Sequence, residues 1–149
     1  MKRLFTGCVL AAALLGATAS AQNSPQTNLP RTFLSAGFYQ IDAQVAQTQE
    51  QHAVGLMYRT GLPPHEGMLF VFPAPSRQCF WMKNTNIALT AAFVDDDGTI
   101  ANLEDMKPQT TDSHCSIRPV RFVLEMNQGW FAKKNIQAGF KLNGKPFGQ

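Results

Sequence analysis

The sequence predicts a mainly β fold, a compact sandwich or partly closed barrel with one or two short helices. Three observations carry that expectation. Short apolar runs recur with turn residues between them: GMLFVF at 67–72, IALTAAFV at 87–94 and RFVLEMN at 121–127. DDDG at 95–98 separates two such runs and reads as a hairpin turn, Gly98 supplying backbone angles that other residues avoid. There is neither a phosphate-cradling glycine loop nor the strand–helix alternation of a nucleotide-binding fold.

The elements are justified in order along the chain. Lys2 and Arg3 precede an apolar run from Leu4 to Leu15, and Ala19 and Ala21 stand where a signal peptidase cuts, after one or the other. Residues 1–21 therefore read as a signal peptide and the protein as exported, periplasmic or secreted. The run is too short for a membrane span, so none is expected after its removal. Cys8 precedes most of the apolar run, which argues against lipid attachment there. Residues 22–31 are polar, contain Pro25 and Pro30, and read as a flexible leader to a single β-rich domain over 32–149.

Phe33, Leu34, Phe38, Tyr39 and Ile41 supply the first strand or two. Residues 43–59 hold a helical candidate, with Thr48 as its cap and Gln51 completing a capping box. GLPP at 61–64 forces a loop. GMLFVF is apolar on both alternating faces, as a strand deep in a sheet or between layers would be. Residues 78–85 and 87–94 read as the next strands, and the hairpin continues into TIANL at 99–103. A polar excursion fills 107–119. In 121–127, Phe122, Leu124 and Met126 share one face, leaving Val123 and Glu125 on the other. Residues 129–137 read as a short helix bearing Trp130, Phe131 and Ile136, and 140–142 as a last strand.

Charge excludes some function classes. The chain carries 13 basic and 10 acidic residues, and without Lys2 and Arg3 the excess falls to +1, with no basic cluster for nucleic acid. His52, His65 and His114 lack zinc-ligand spacing, and Asp95, Asp96 and Asp97 lack the framework of a calcium loop. The mature methionines are irregularly spaced and read as core. No metal and no cofactor is expected. Ser113 and His114 are neighbours without an activated-nucleophile elbow. Export makes Cys79 and Cys115 either a disulfide or two buried thiols.

Four segments together resemble a known family: GLMYRTGLPPHEGMLFVF, FWMKNTNIAL, FVDDDGTI and VLEMNQGWFAKKNIQAG, in that order over about residues 45–142. The chain is similar to domain-of-unknown-function family 192, a group of small, often exported proteins. The resemblance implies a single jelly-roll-like β fold and no particular activity. Where the family usually reads Ile-Pro-Leu-Asp after FWMKNT, this chain has Ile87, Ala88, Leu89 and Thr90. Chemistry that needs a carboxylate at position 90 therefore does not transfer. Cys79 and Cys115 are not obligatory in the family pattern.

FWMKNT, residues 80–85, is the stretch most suggestive of a site. As a strand it would send Phe80, Met82 and Asn84 one way and Trp81, Lys83 and Thr85 the other. Trp81 beside Lys83 would suit a sugar, a peptide or an anionic group; the alternative is a lysine stem packed along a half-buried tryptophan. Glu125, inside an apolar strand, needs a partner if buried, with Arg59 or Lys83 as counter-charge. The ligand-binding candidates are Arg59, Trp81, Lys83, Asn84 and Glu125, with no catalytic residue assigned. The first reading is an exported β-domain that binds an envelope polysaccharide, a cell-wall fragment or a partner protein at one open face. The alternatives are a small hydrolase or lyase with an acid/base pocket, and a structural or assembly protein.

Overall fold

The structure, a computed structural model, describes residues 23–148; the expected signal peptide lies outside the described residues. Strands β1 (Arg31–Ala36) and β2 (Tyr39–Ala46) are followed by helix α1 (Gln49–Val54). Then come β3 (Glu66–Ser76), β4 (Cys79–Phe80), β5 (Leu89–Val94), β6 (Ile100–Met106), β7 (His114–Cys115) and β8 (Val120–Asn127). Six strands form one sheet in the order β1-β2-β3-β8-β5-β6, and β4 and β7 form a second. The fold is the mainly β, sandwich-like one expected, with two sheets and only short helical elements.

Both faces of the large sheet are buried at its central strands. One face carries Ile41, Leu69, Leu124, Met126 and Ala92, covered by Trp130, Phe131, Ile136 and Leu142 from the chain after β8. The other carries Met68, Phe70, Val123, Ala91 and Phe93, covered by Leu56, Met82 and the ring of Phe80. This is why GMLFVF and the run before DDDG are apolar at consecutive positions: a strand between two cores has no solvent face. All six residues of β5 are buried. Every pairing is antiparallel except β2 with β3, where Gln44 lies beside Met68. A parallel pair needs a crossover, and residues 47–65, containing α1, provide it.

Several expected boundaries move. Ala43 and Ala46 belong to β2, because both are buried between strand neighbours and tertiary packing outweighs their helical propensity. The helix begins at the expected Thr48 cap, which accepts from Gln51 N–H while the Gln51 side chain returns the bond. The strand starting near 78 stops at Phe80, and that starting near 87 begins only at Leu89. The helix expected over 129–137 contracts to a 3-10 turn at Ala132–Lys134. The last expected strand reduces to the single bridges Thr99–Lys141 and Ser35–Asn143. The hairpin across DDDG forms, with Val94 paired to Ile100 and Gly98 at φ +91°.

Residues expected as a leader make specific contacts with the domain. The Gln26 amide donates to the carbonyls of Gln51 and Gly55, and Gln44 donates to the carbonyl of Thr27. Leu29 packs against the second core.

Cys79 and Cys115 face one another across the β4–β7 pair, bonded, with Cα atoms 4.1 Å apart. The bridge ties the start of the FWMKNT segment to the polar excursion, within which Cys115 lies. Replacing both cysteines by serine should lower stability to denaturant by about 2–4 kcal/mol, because the unfolded chain regains loop freedom. The comparison is oxidised wild type against the variant in urea. Gly67 sits against β8 so closely that a Cβ there would lie 2.7 Å from the Glu125 carbonyl oxygen and would overlap Met126 Sδ. Gly67→Ala should therefore cost about 1–3 kcal/mol through overpacking, read from the same denaturation curves.

Candidate functional site

A cleft of about 240 Å³ opens on the second face of the large sheet. One wall is α1 and the chain just after it, including His52, Leu56 and Met57; the other is Gln78, Phe80, Trp81 and Thr85. Phe70 and Phe72 from β3 and Glu125 from β8 complete the lining. The rings pack against one another: Phe80 meets Phe70 edge to face at 4.8 Å, and the His52 ring is tilted by 43° against that of Phe72 at 4.4 Å. Such contacts hold the aromatic walls in place.

Glu125 reaches this cleft because of strand alternation. It is paired with Met68 on β3 and Ala91 on β5, so its side chain shares their face. Only 4% of the residue is exposed. Among the described residues, none donates a hydrogen bond to its carboxyl and none pairs with it as a cation. Burial alone pushes its pKa from the usual 4.5 up to about 8, so at neutral pH it is held largely as the acid. Ala91, with only a methyl group opposite Glu125, offers it no polar partner.

Neither expected counter-charge is bonded to Glu125. Arg59 is itself buried and donates to the Gln26 carbonyl and the Gln44 side chain, while its Nε has no partner. Burial lowers its pKa as well. Lys83 Nζ instead lies 5.5 Å from the Trp81 ring centroid, a cation–π contact at the surface. The physical reason is the turn that follows Phe80. Thr85 N–H bonds the Met82 carbonyl, and Asn84 adopts a left-handed φ of +57°. This turn breaks the expected alternation: Met82 and Thr85 are buried, while Trp81 and Lys83 face outward.

The five candidates thus separate into layers. Trp81, 51% exposed, and Glu125 both line the cleft. Lys83 lies against Trp81 outside it, and Asn84 braces the turn by donating to the Tyr58 hydroxyl at 3.0 Å. Arg59 lies behind, in the polar cluster with Gln26 and Gln44. Sequence reasoning did not single out His52, Phe72, Gln78 or Thr85 for the site. The one available signal was the capping box, which fixes α1 and with it His52, whose Nε2 lies 3.0 Å from the Ala46 carbonyl.

The remaining polar candidates have structural partners. Asp95 pairs with Arg118 at 2.6 Å, Asp97 with Lys141 at 3.4 Å and Asp96 with Arg121 at 3.8 Å. Thr90, at the position of the family's usual aspartate, donates to Asp105 at 2.6 Å. Among the described residues, no group of three or more His, Cys, Asp or Glu side chains is placed to hold a metal ion. None of the described helices is long and apolar enough to cross a membrane.

With this geometry the chain can be placed among known proteins. Residues 32–144 match the DUF192 family, described as "Uncharacterized ACR", and the chain belongs to that family. Solved structures similar to it include two. A "putative transcription regulator" from Sinorhizobium meliloti is 30% identical with a TM-score of 0.75, over 80% of this chain and 97% of that one. A protein of unknown function from Novosphingobium aromaticivorans is 29% identical with a TM-score of 0.73, over 89% of this chain and 99% of that one. The search of curated proteins found no significant match.

Glu125 also governs how stability responds to pH. The unfolded carboxyl ionises from about 4.5, whereas the folded one keeps its proton to about 8, so raising the pH favours unfolding across that window. The contribution is up to about 1.4 kcal/mol per pH unit. Glu125→Gln should flatten this part of the profile and gain on wild type as pH rises, in thermal melts taken at intervals across the window.

Proposed function

We propose that this protein is an exported binding module of the cell envelope, and that its cleft receives part of a cell-wall fragment or envelope polysaccharide. The observation that carries the reading is the half-exposed Trp81 on the wall of an aromatic cleft with a buried carboxyl in its lining. An aromatic plane offers a ligand a large, rigid, apolar contact, and the recessed polar group fixes its orientation. The export signal read in residues 1–21 supports the location, and the Cys79–Cys115 bridge suits an oxidising compartment.

A second reading, an acid/base hydrolase or lyase, draws on Glu125, whose raised pKa suits a general acid. Arg59 and Lys83, the expected counter-charges of Glu125, do not line the cleft with it. The geometry therefore favours binding.

The test is two-dimensional NMR of the oxidised, isotope-labelled protein titrated with cell-wall and polysaccharide fragments. Saturable shifts should cluster at Trp81, Phe80, Thr85 and Glu125, and Trp81→Ala should weaken binding by about tenfold, the scale of one aromatic contact. A folded protein whose cleft resonances stay fixed across the panel would overturn the binding reading. Product formation in the same tubes, lost in Glu125→Gln, would instead establish the enzyme.

A further inference from the structure

Resting on the reading of the cleft as a ligand site, we propose that it is selective for an alkylammonium group, whose positive head pairs with Glu125 while its aliphatic stem lies between the aromatic walls.

The argument begins with what the cleft lacks. A buried carboxyl is normally compensated by a cation or by several donors. Here the two nearest sequence candidates are committed elsewhere, Arg59 to Gln26 and Gln44 and Lys83 to the face of Trp81. No lysine or arginine lines the cleft, so an anionic ligand would find no counter-charge there. Beside Glu125 the polar lining is Gln78, Thr85 and His52, the last with Nε2 against the Ala46 carbonyl, which leaves the carboxyl as the charged partner an entering group would meet. The aromatic walls, by contrast, attract a cation through the negative faces of their rings. One position in the chain already shows the affinity, since Lys83 lies over Trp81 at the surface.

Pairing has a proton balance. An ammonium entering the cleft binds the ionised carboxylate, so the proton that burial holds on Glu125 leaves to solvent. The other titratable groups set around this face are His52 on α1, Arg59 beyond it, Lys83 after Trp81 and Glu66 on β3. Glu104 on β6 is the same-row partner of Ala91, and His114 lies 3.8 Å from it. None of them is bonded to the Glu125 carboxyl. Binding therefore draws on the Glu125 ionisation.

The probe is n-butylammonium, with tetramethylammonium, a lysine-containing tripeptide and neutral N-acetylglucosamine oligomers alongside, followed by NMR and by calorimetry in buffers of different ionisation enthalpy. Affinity for butylammonium should rise about tenfold per pH unit from about pH 6 to about 8 and then level off, with about one proton released per ligand near pH 6. The slope should vanish in Glu125→Gln and persist in His52→Gln, whatever the change in overall affinity. The wild-type proton release stands without either variant. A tripeptide that outbinds butylammonium would assign the ammonium to a peptide, and equal affinities to a free amine; both support the class. Ammonium binding that is independent of pH, or a slope retained in Glu125→Gln, would overturn the proposal. If the neutral oligomers shift the cleft and the ammonium probes do not, the proposal fails while the binding module stands. Silence from every probe would overturn both.

Discussion

The constraint on which the structure depends is that its main sheet is buried on both faces at its central strands. Strand β8 lies at the middle of it, between β3 and β5, and its alternate side chains enter two different cores. Leu124 and Met126 pack under the C-terminal segment, while Val123 packs on the side covered by Leu56 and Met82. A carboxylic acid at position 125 is therefore enclosed by strand geometry, without a dedicated partner. The cleft is the place where the covering of the second face is incomplete. Fold and candidate site are two descriptions of that one incompletely covered surface.

The edges of the cleft are held by unlike means. α1 is short, but its capping box satisfies its first turn, and Gln26 caps the other end by donating to the carbonyls of Gln51 and Gly55. The opposite wall has almost no regular structure after Phe80. It is tethered instead by the disulfide at Cys79, by the Met82 N–H to the Thr110 carbonyl, and by Asn84, which bonds Tyr58 through both backbone and side chain. The Asn84–Tyr58 bonds join the two walls directly. Polar residues that look like ligand contacts in FWMKNT thus include one that sets the width of the opening.

Much of this was legible in the sequence wherever one local period operates. The period of two in RFVLEMN places Glu125 opposite Phe122, Leu124 and Met126, and the structure keeps that assignment. The Thr48–Gln51 pair marks the start of α1 because capping is a local interaction. Legibility ends where the decision is tertiary. Ala43 and Ala46 have no strong preference, and only the neighbouring strands make them part of β2. FWMKNT reads as a strand until Asn84, a residue that tolerates left-handed angles, bends the chain and reverses which side chains point inward. The partner of Arg59 was beyond reach, since Gln26 and Gln44 meet it only through the fold.

The position of β8 in the chain order has a further consequence. It is the central strand of the sheet, and it is the last of the six to be synthesised. Without it, the sheet would divide into β1 to β3 on one side and β5 with β6 on the other, each with an unpaired edge where β8 lies. Neither half can close its core alone, and the covering residues Trp130, Phe131, Ile136 and Leu142 follow β8. β8 is thus a keystone: two sets of strands that are separate in the chain share one pair of cores only because it lies between them.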